Sequence, residues 1–424
     1  MPVRLRLRPA RRGARPDSGR CRSEGGNVDS GPEPPRRALP SPLPSPPFPF
    51  SDWPYGGSPE IGVPDTDVPP LMQALYAGSH GAAWEQSRVK LSGWVAGSFN
   101  LSTSHNSNDP AVYDIFPNRI EFDQTVLYAE RLPDTVQTDH FDWGFHLSGL
   151  YCMAPAIVSP PTWATSASNC STSTVSMALI PCSNTWTSIS PRSSKDSTTA
   201  SAASSVPGIE AQLAPNNYIY THSLLYVIDP FTDTGILGAV RLNDRWLVQL
   251  GLTASHDVAP WTSDARPSAT ACISYTFNQG NDNVCPCVNG LNDGRYSCNN
   301  LQMFGSTRYH KFNASWHMAT EAWYMYHRGV HSISGPLAPD KGTCGAVCSA
   351  GEIRCFAPEW AMVNYLEKEL SAKHFVSLRT DFLDDMKGQR TGFKTRYIDA
   401  TLMGGARVGK HHPATSRNQI RSCS

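Results

Sequence analysis

A chain of 424 residues has room for about three ordinary domains or for one large barrel. It is 40% apolar and 10% aromatic but only 17% charged, and its formal net charge is zero, so nothing in the composition points to a nucleic-acid surface. No run of about 18 apolar residues occurs, which leaves no candidate for a membrane-crossing helix and says nothing against crossing by strands.

The N-terminal text is unlike the rest. Met1–Ser23 carries eight arginines and no apolar stretch, so it is not a secretory signal peptide. Its prolines and glycines also oppose the amphipathic helix of an organelle transit peptide. Residues 1–30 therefore read as a misassigned, disordered start. Residues 31–70 contain 14 prolines and read as an extended periplasmic spacer. A short helix is expected over Leu71–Glu85, broken near Gly78 and Gly81.

From Arg88 onward the dominant signal is alternation with period two. Val89, Leu91, Gly93, Val95, Gly97, Phe99 and Leu101 share one face, against Arg88, Lys90, Ser92, Ser98 and Asn100. Arg119–Arg131 sets Ile120, Phe122, Val126 and Tyr128 against Glu121, Asp123 and Thr125. His140–Tyr151 opposes Phe141, Trp143, Phe145, Leu147 and Tyr151 to His140, Asp142, His146 and Ser148. Further strands are expected at Asn216–Ile228, Thr234–Leu242, Asp244–Ala254, Ala269–Asn278, Asn300–Tyr309, Lys311–Tyr326, Trp360–Leu370, Phe375–Asp384 and Gln389–Tyr397. Strands of 10 to 15 residues are long for a soluble sheet, whereas a tilted strand crossing a bilayer needs about 9–11. Connections are short around Asn243, His310 and Ala372. They are long at Ser102–Asn118, His256–Ser268, Gln279–Asn299 and Gly329–Glu359. Short turns at one end and long loops at the other describe an outer-membrane barrel.

Several segments also carry a family resemblance. SDWPYGGSPEIGVPDTDVPPLMQALY, GIEAQLAPNNYIYTHSLLY, WHMATEAWYMY, FAPEWAMVNYLEKEL and GQRTGFKTRY resemble the OmpL-like β-barrel porins of diderm bacteria. The likeness runs from about Pro40 to Met403, apart from one gap. It implies an outer-membrane barrel that passes small solutes and ends in an aromatic residue, and it carries over no catalytic residue.

The gap is Cys152–Ser205. Its 54 residues include 15 serines and eight threonines but no glycine, tyrosine or phenylalanine, residues in which the flanking strands are rich. A disordered Ser/Thr-rich insert is one reading. A frame disruption fits better. Codons chosen among synonyms for Thr162–Val206, read two bases out of phase, can spell the alternating runs EYVDLYI and NYRIGRFI and lead straight into VPGIEAQLAP. Read one base out of phase, Gly404–Ser424 can likewise spell a strand. The expected architecture is all-β: an antiparallel outer-membrane-type β-barrel over 71–403, interrupted at 152–205 and followed by an out-of-frame tail at 404–424. Roughly three strands at the gap and at least one at the end would be missing, and an unclosed sheet leaves backbone groups unsatisfied in lipid. The chain as written is therefore expected not to function.

Chemistry-bearing residues are sparse. No G-x-S-x-G, H-E-x-x-H or Walker loop occurs, so no enzyme is expected. The pairs Asp384-Asp385 and Glu367/Glu369 read as solvated residues at strand ends. Cys285, Cys287 and Cys298 share one loop, and Cys344, Cys348 and Cys355 another. One or two loop disulfides are the expectation, with free thiols open, because C-x-C and C-x3-C-x6-C do not match zinc knuckles. No metal and no cofactor are expected. Trp84, Trp94, Trp143, Trp246, Trp261, Trp316, Trp323 and Trp360 suit interfacial girdles.

Two functions follow. The first is a passive pore for small polar solutes in the bacterial outer membrane, lined by Arg88, Lys90, Glu121, Asp123, Asp142, His146, Arg245, Glu321 and Arg379. Membrane lipid would be its surroundings and a homo-oligomer stays open. The second is a secreted all-β carbohydrate-binding module, which would bury the apolar face that a barrel exposes. Resequencing the coding DNA across Leu150–Pro207 and Arg396–Ser424 is expected to return frame changes that restore strands and a terminal aromatic. An unchanged sequence at both places would mean that the disruptions are real and the locus is a decaying gene, whose product has the family's resemblance without its function.

Overall fold

The alternating segments pair into one antiparallel sheet. The computed structural model of the chain describes residues 68–406, leaving out 132–141, 153–179, 190–196, 206–218, 293–300, 334–344 and briefer stretches within loops. Two short helices open it, α1 (Pro70–Tyr76) and α2 (Gly81–Ser87). The break falls where the glycines predicted it. A Cβ on Gly81 would stand 2.0 Å from the Tyr76 carbonyl oxygen, so the chain folds back this tightly only without a side chain there.

The strands follow as β1 (Val89–Phe99), β2 (Ile120–Arg131), β3 (Asp142–Cys152), β4 (Ile180–Ile189) and β5 (Ser197–Ser205). After helix α3 (Leu224–Ile228) come β6 (Thr232–Arg241), β7 (Trp246–His256), β8 (Ser268–Phe277), β9 (Asp282–Leu291), β10 (Gln302–Lys311) and β11 (Trp316–Ser332). Then come β12 (Gly345–Ala346), β13 (Arg354–Glu369), β14 (His374–Asp385) and β15 (Thr395–Ala406). Each strand pairs antiparallel with the next in order, except that the two-residue β12 lies parallel to the end of β11 and off the path. Among the described residues no ladder joins β1 to β15, so the sheet is an unclosed barrel wall.

Three hairpin turns share one construction. Asn243 Oδ1 accepts the backbone N–H groups of Arg245 and Trp246. Asn313 Oδ1 does the same for Ser315 and Trp316, and Ser371 Oγ for Lys373 and His374. A short polar side chain that bonds its own backbone two residues on makes the turn self-sufficient, which keeps this end of the sheet short.

The two faces have opposite character, with polarity reversed from a soluble protein. Val95, Phe99, Leu127, Ile236, Leu250, Leu252, Ile398 and Leu402 are 59–81% exposed on one face. Glu121, Glu130, Glu321, Glu359, Glu367, Arg379, Asp381 and Asp385 are at most 5% exposed on the other. Aromatic rings edge the apolar face at two levels. Trp246, Tyr275 and Phe277 stack near the short turns, whereas Tyr324, Tyr326, Phe356, Trp360 and Phe382 cluster toward the long loops. Trp316 and Tyr326 are ten residues apart on β11, about 34 Å along an extended strand. At a tilt of about 40° that is roughly 26 Å of height, the thickness of an outer-membrane apolar band.

Several expectations need correction. The described part of the strand expected at Asn216–Ile228 turns helical at its end: Ser223 Oγ accepts the Tyr226 N–H, and this N-cap turns Leu224–Ile228 into a helix. Gln279–Asn299 is not all loop, because Asp282–Leu291 forms β9, whose alternation is hidden in a C-P-C text. The expected 329–359 loop loses both ends to β11 and β13. At the C-terminal side Gln389–Lys394 is turn, and β15 starts at Thr395 and continues through Gly404, Gly405 and Ala406. Within 152–205, expected to lack strands, the structure runs β4 and β5. On β2 the register shifts opposite Ala96/Gly97, so one extra residue flips the alternation. Leu127 therefore faces out and Tyr128 in, at 3% exposure. Trp323 is also inward and buried, not part of a girdle.

Leu250, near the middle of β7, tests the membrane-facing assignment. Leu250→Arg is expected to destabilise the protein in lipid vesicles by about 2–4 kcal/mol in denaturant titration. A change under about 0.5 kcal/mol would place that face in water.

Candidate pore-lining face

Strand geometry puts every second residue on the covered face, and that face collects the charge. Of the nine residues expected to line a pore, Glu321 on β11 and Arg379 on β14 are buried on it, and Glu121 on β2 is buried near the long-loop end, accepting the Phe116 N–H at 2.6 Å. Lys90 stands in register opposite Glu130. Arg88 and Arg245 are not on strands: Arg88 caps α2 in a left-handed conformation, and Arg245 sits in the β6–β7 turn, where its carbonyl accepts the Thr276 N–H. The side chains of Asp123, Asp142 and His146 lie outside the described residues.

Around Arg379 the wall is knitted by charge. Arg379 pairs with Asp381 at 3.1 Å and with Asp399 at 2.8 Å, and donates to Thr401 Oγ1. His317 and Glu367 meet at 2.5 Å, with Ser377 donating to the same carboxylate, and His256 and Asp233 meet at 2.7 Å. Asp381, two residues beyond Arg379, was reachable by the strand period, as were Glu359 and Glu367 on β13. The paired carboxylates are structural. Asp385 accepts three backbone N–H groups of the following turn, and Asp384 pairs with Arg396 at 2.8 Å.

One feature carried no periodic signal. The segment Ile219–Asp229, with α3 inside it, lies against the covered face of β10, β11, β13 and β14. Ile219, Leu224, Leu225, Val227 and Ile228 join one buried cluster with Met303, Trp323, Met325, Val363, Tyr365 and Leu383. Polar clamps hold its backbone: Arg379 donates to the Thr221 carbonyl at 2.5 Å, Asp381 accepts the Leu224 N–H at 3.1 Å, and Arg390 donates to the Ile228 carbonyl. His222 stacks on Tyr226 at 3.9 Å. Burial, and secondarily the Arg379 charge, lowers its pKa to about 3.

The cysteines pair differently from the loop-based expectation. Cys348 bonds Cys355, a pair the spacing allowed, but the bond ties the loop after β12 to the start of β13. Cys287 bonds Cys272 of the neighbouring strand, which the sequence did not nominate, and Cys285 is a buried thiol. Cys298 and Cys344 lie outside the described residues.

His222 gives the clamped segment a pH dependence. When released it takes a proton near 6.5, and when packed only near 3, so the released form binds more protons between those values. Packing is undiminished above about pH 6.5 and weakens as pH falls from there toward 3. Hydrogen exchange of residues 223–228, corrected for intrinsic rates, is expected to lose protection over that window, and less so in His222→Gln. Equal loss in the variant would remove His222 as a cause.

The family model described as Putative beta-barrel porin-2, OmpL-like, matches residues 88–412. No curated protein matches the chain. Among solved structures it is similar to the outer membrane channel DcaP of Acinetobacter baumannii, at 10% identity and a TM-score of 0.43, over 72% of this chain and 82% of that one. It is also similar to a porin at 11% identity and a TM-score of 0.35, over 70% and 84% of the two chains. A third is OccAB1 of Acinetobacter baumannii, at 9% identity and a TM-score of 0.35, over 71% and 67%. Because the family match spans well over half of the residues, from the first strand to beyond the last described one, the chain belongs to the OmpL-like β-barrel porins of the bacterial outer membrane.

Proposed function

We propose that this porin-family chain is built for passive diffusion of small polar solutes, with the covered face of the sheet as its pore lining. The observation that carries the reading is the reversed polarity of the wall: leucines and isoleucines bare on one side, carboxylates and the Arg379 guanidinium covered on the other. Lipid can solvate the first face and water the second. A secreted carbohydrate-binding sandwich would bury the apolar side, and nothing favours that reading.

Charge of both signs lines the covered face, including Lys90 opposite Glu130 and Arg379 between Asp381 and Asp399. Mixed charge favours weak selectivity among small polar solutes. The clamped segment at Ile219–Asp229 occupies part of that face and would limit the size of what passes. Closure is the second requirement. We propose that 152–205, as written, supports it poorly, because its serine- and threonine-rich text lacks the apolar alternation that lipid-facing strands need.

Planar-bilayer recording tests both parts with two proteins: the chain as written, and the chain with 162–206 replaced by its out-of-frame reading. Ohmic conductance from the restored chain alone is expected. Silence from both would sink the pore, and equal conductance from both would sink the frame argument.

A further inference from the structure

The covered face of β8–β10 carries a sulfur cluster that solute passage does not require. Cys285 and Cys287 are two residues apart on β9, so the strand period turns both to one face. The β8–β9 register sets Cys272 directly opposite Cys287. All three sulfurs lie within 4.8 Å of one another, and each residue is at most 4% exposed. Cys272 and Cys287 are bonded, while the Cys285 sulfur rests 3.8 Å from that of Cys287.

The surroundings are polar and partly unused. Ser274 hydrogen-bonds the Cys285 thiol and is itself held by Asn283 Nδ2 at 2.8 Å. Thr307 of β10 stands opposite Cys285; it is 1% exposed, and its hydroxyl has no partner among the described residues. Such outer groups orient sulfur ligands and offset charge that develops on them.

Once the Cys272–Cys287 bond is opened, sulfurs spaced as Cys285 and Cys287 are, 3.8 Å apart, suit one ligand class. A metal about 2.3 Å from each of three sulfurs in a plane sets those sulfurs about 4.0 Å apart. Thiolates select soft cations, whereas hard cations require the oxygen sets that are absent here among the described residues.

We propose that, once the Cys272–Cys287 disulfide is reduced, Cys272, Cys285 and Cys287 bind one soft cation of the Cu(I) class through three sulfurs. Reduction is by an external dithiol. The Cys272–Cys287 bond breaks, each sulfur takes one electron and one proton, and the dithiol closes to its own disulfide. Metal binding then displaces thiol protons, so affinity rises with pH. In the oxidised protein Cys285 is left as the single sulfur ligand of the cluster. The site is therefore closed by oxidation and opened by reduction.

The test uses the full chain in detergent micelles, reduced with dithiothreitol and desalted without oxygen, then titrated with Cu(I) against a chromogenic chelator. Cys285→Ser is the main comparison, since it keeps the Cys272–Cys287 bond for folding and loses the third ligand after reduction. Cys348→Ser with Cys355→Ser controls for the other disulfide. The expected result is one Cu(I) held at least tenfold more weakly in reduced Cys285→Ser and in the oxidised chain, unchanged in the control, with a sulfur-to-copper ultraviolet band that weakens in parallel. Equal affinity and stoichiometry in the intact and Cys285→Ser chains after reduction would overturn the proposal, as would loss of that copper in the Cys348/Cys355 control.

Discussion

Every backbone N–H and C=O on a membrane-spanning strand must find a partner on a neighbouring strand, because hydrocarbon supplies none. Most of this structure follows from that demand. It explains path strands of 9 to 17 residues paired in sequence order, with hairpins closed by a single Asn or Ser. It also explains why the wall's two ends matter. β1 and β15 each carry an edge that no described ladder fills, and an edge in lipid costs several kcal/mol for each group left unpaired. Among the described residues the path holds fourteen strands once the off-path β12 is set aside, so its first and last strands run in opposite directions. An even antiparallel path is one that can close on itself.

With the backbone satisfied, side chains sort by solvent. Leu250, Leu252 and Leu402 stand bare where a soluble protein would hide them. The covered face instead concentrates charge, and buried charge is tolerated only when paired. Arg379 shows how tightly the pairing is shared: one guanidinium serves Asp381, Asp399 and the Thr221 carbonyl, so the wall strands and the inner segment depend on the same group. The inner segment is thus part of the wall's electrostatics as well as its packing. The same face brings Cys272, Cys285 and Cys287 together, which neither strand could do alone.

Much of the fold was legible in residue order, for a physical reason. A strand has a two-residue period, so Val89 to Leu101 shows its apolar face without reference to any neighbour. Where the reading failed, a local event overrode the period. The extra residue in β2 reversed the facing of Leu127 and Tyr128, and Ser223 capped a helix inside an apolar run that reads equally well as strand. In β9 the alternation was present but written in cysteine, proline and asparagine, which carry little hydropathy contrast. Glu321 and Arg379 fall on the covered face because each sits inside an uninterrupted alternation, whereas Arg245 belongs to a turn.

The sequence by itself determined the class: long alternating strands, short and long connections, a greasy face and a wet one, and a resemblance that the family match bears out. These are properties of single segments, set by local periodicity and composition. The tertiary structure decided everything that needs two distant segments to meet. Ile219–Asp229 lies on β10 to β14, Arg379 stands between Asp381 and Asp399, and Cys272 rather than a loop cysteine bonds Cys287. Such meetings depend on strand register, which is fixed only when two strands pair, and one extra residue in either strand shifts every partner beyond it.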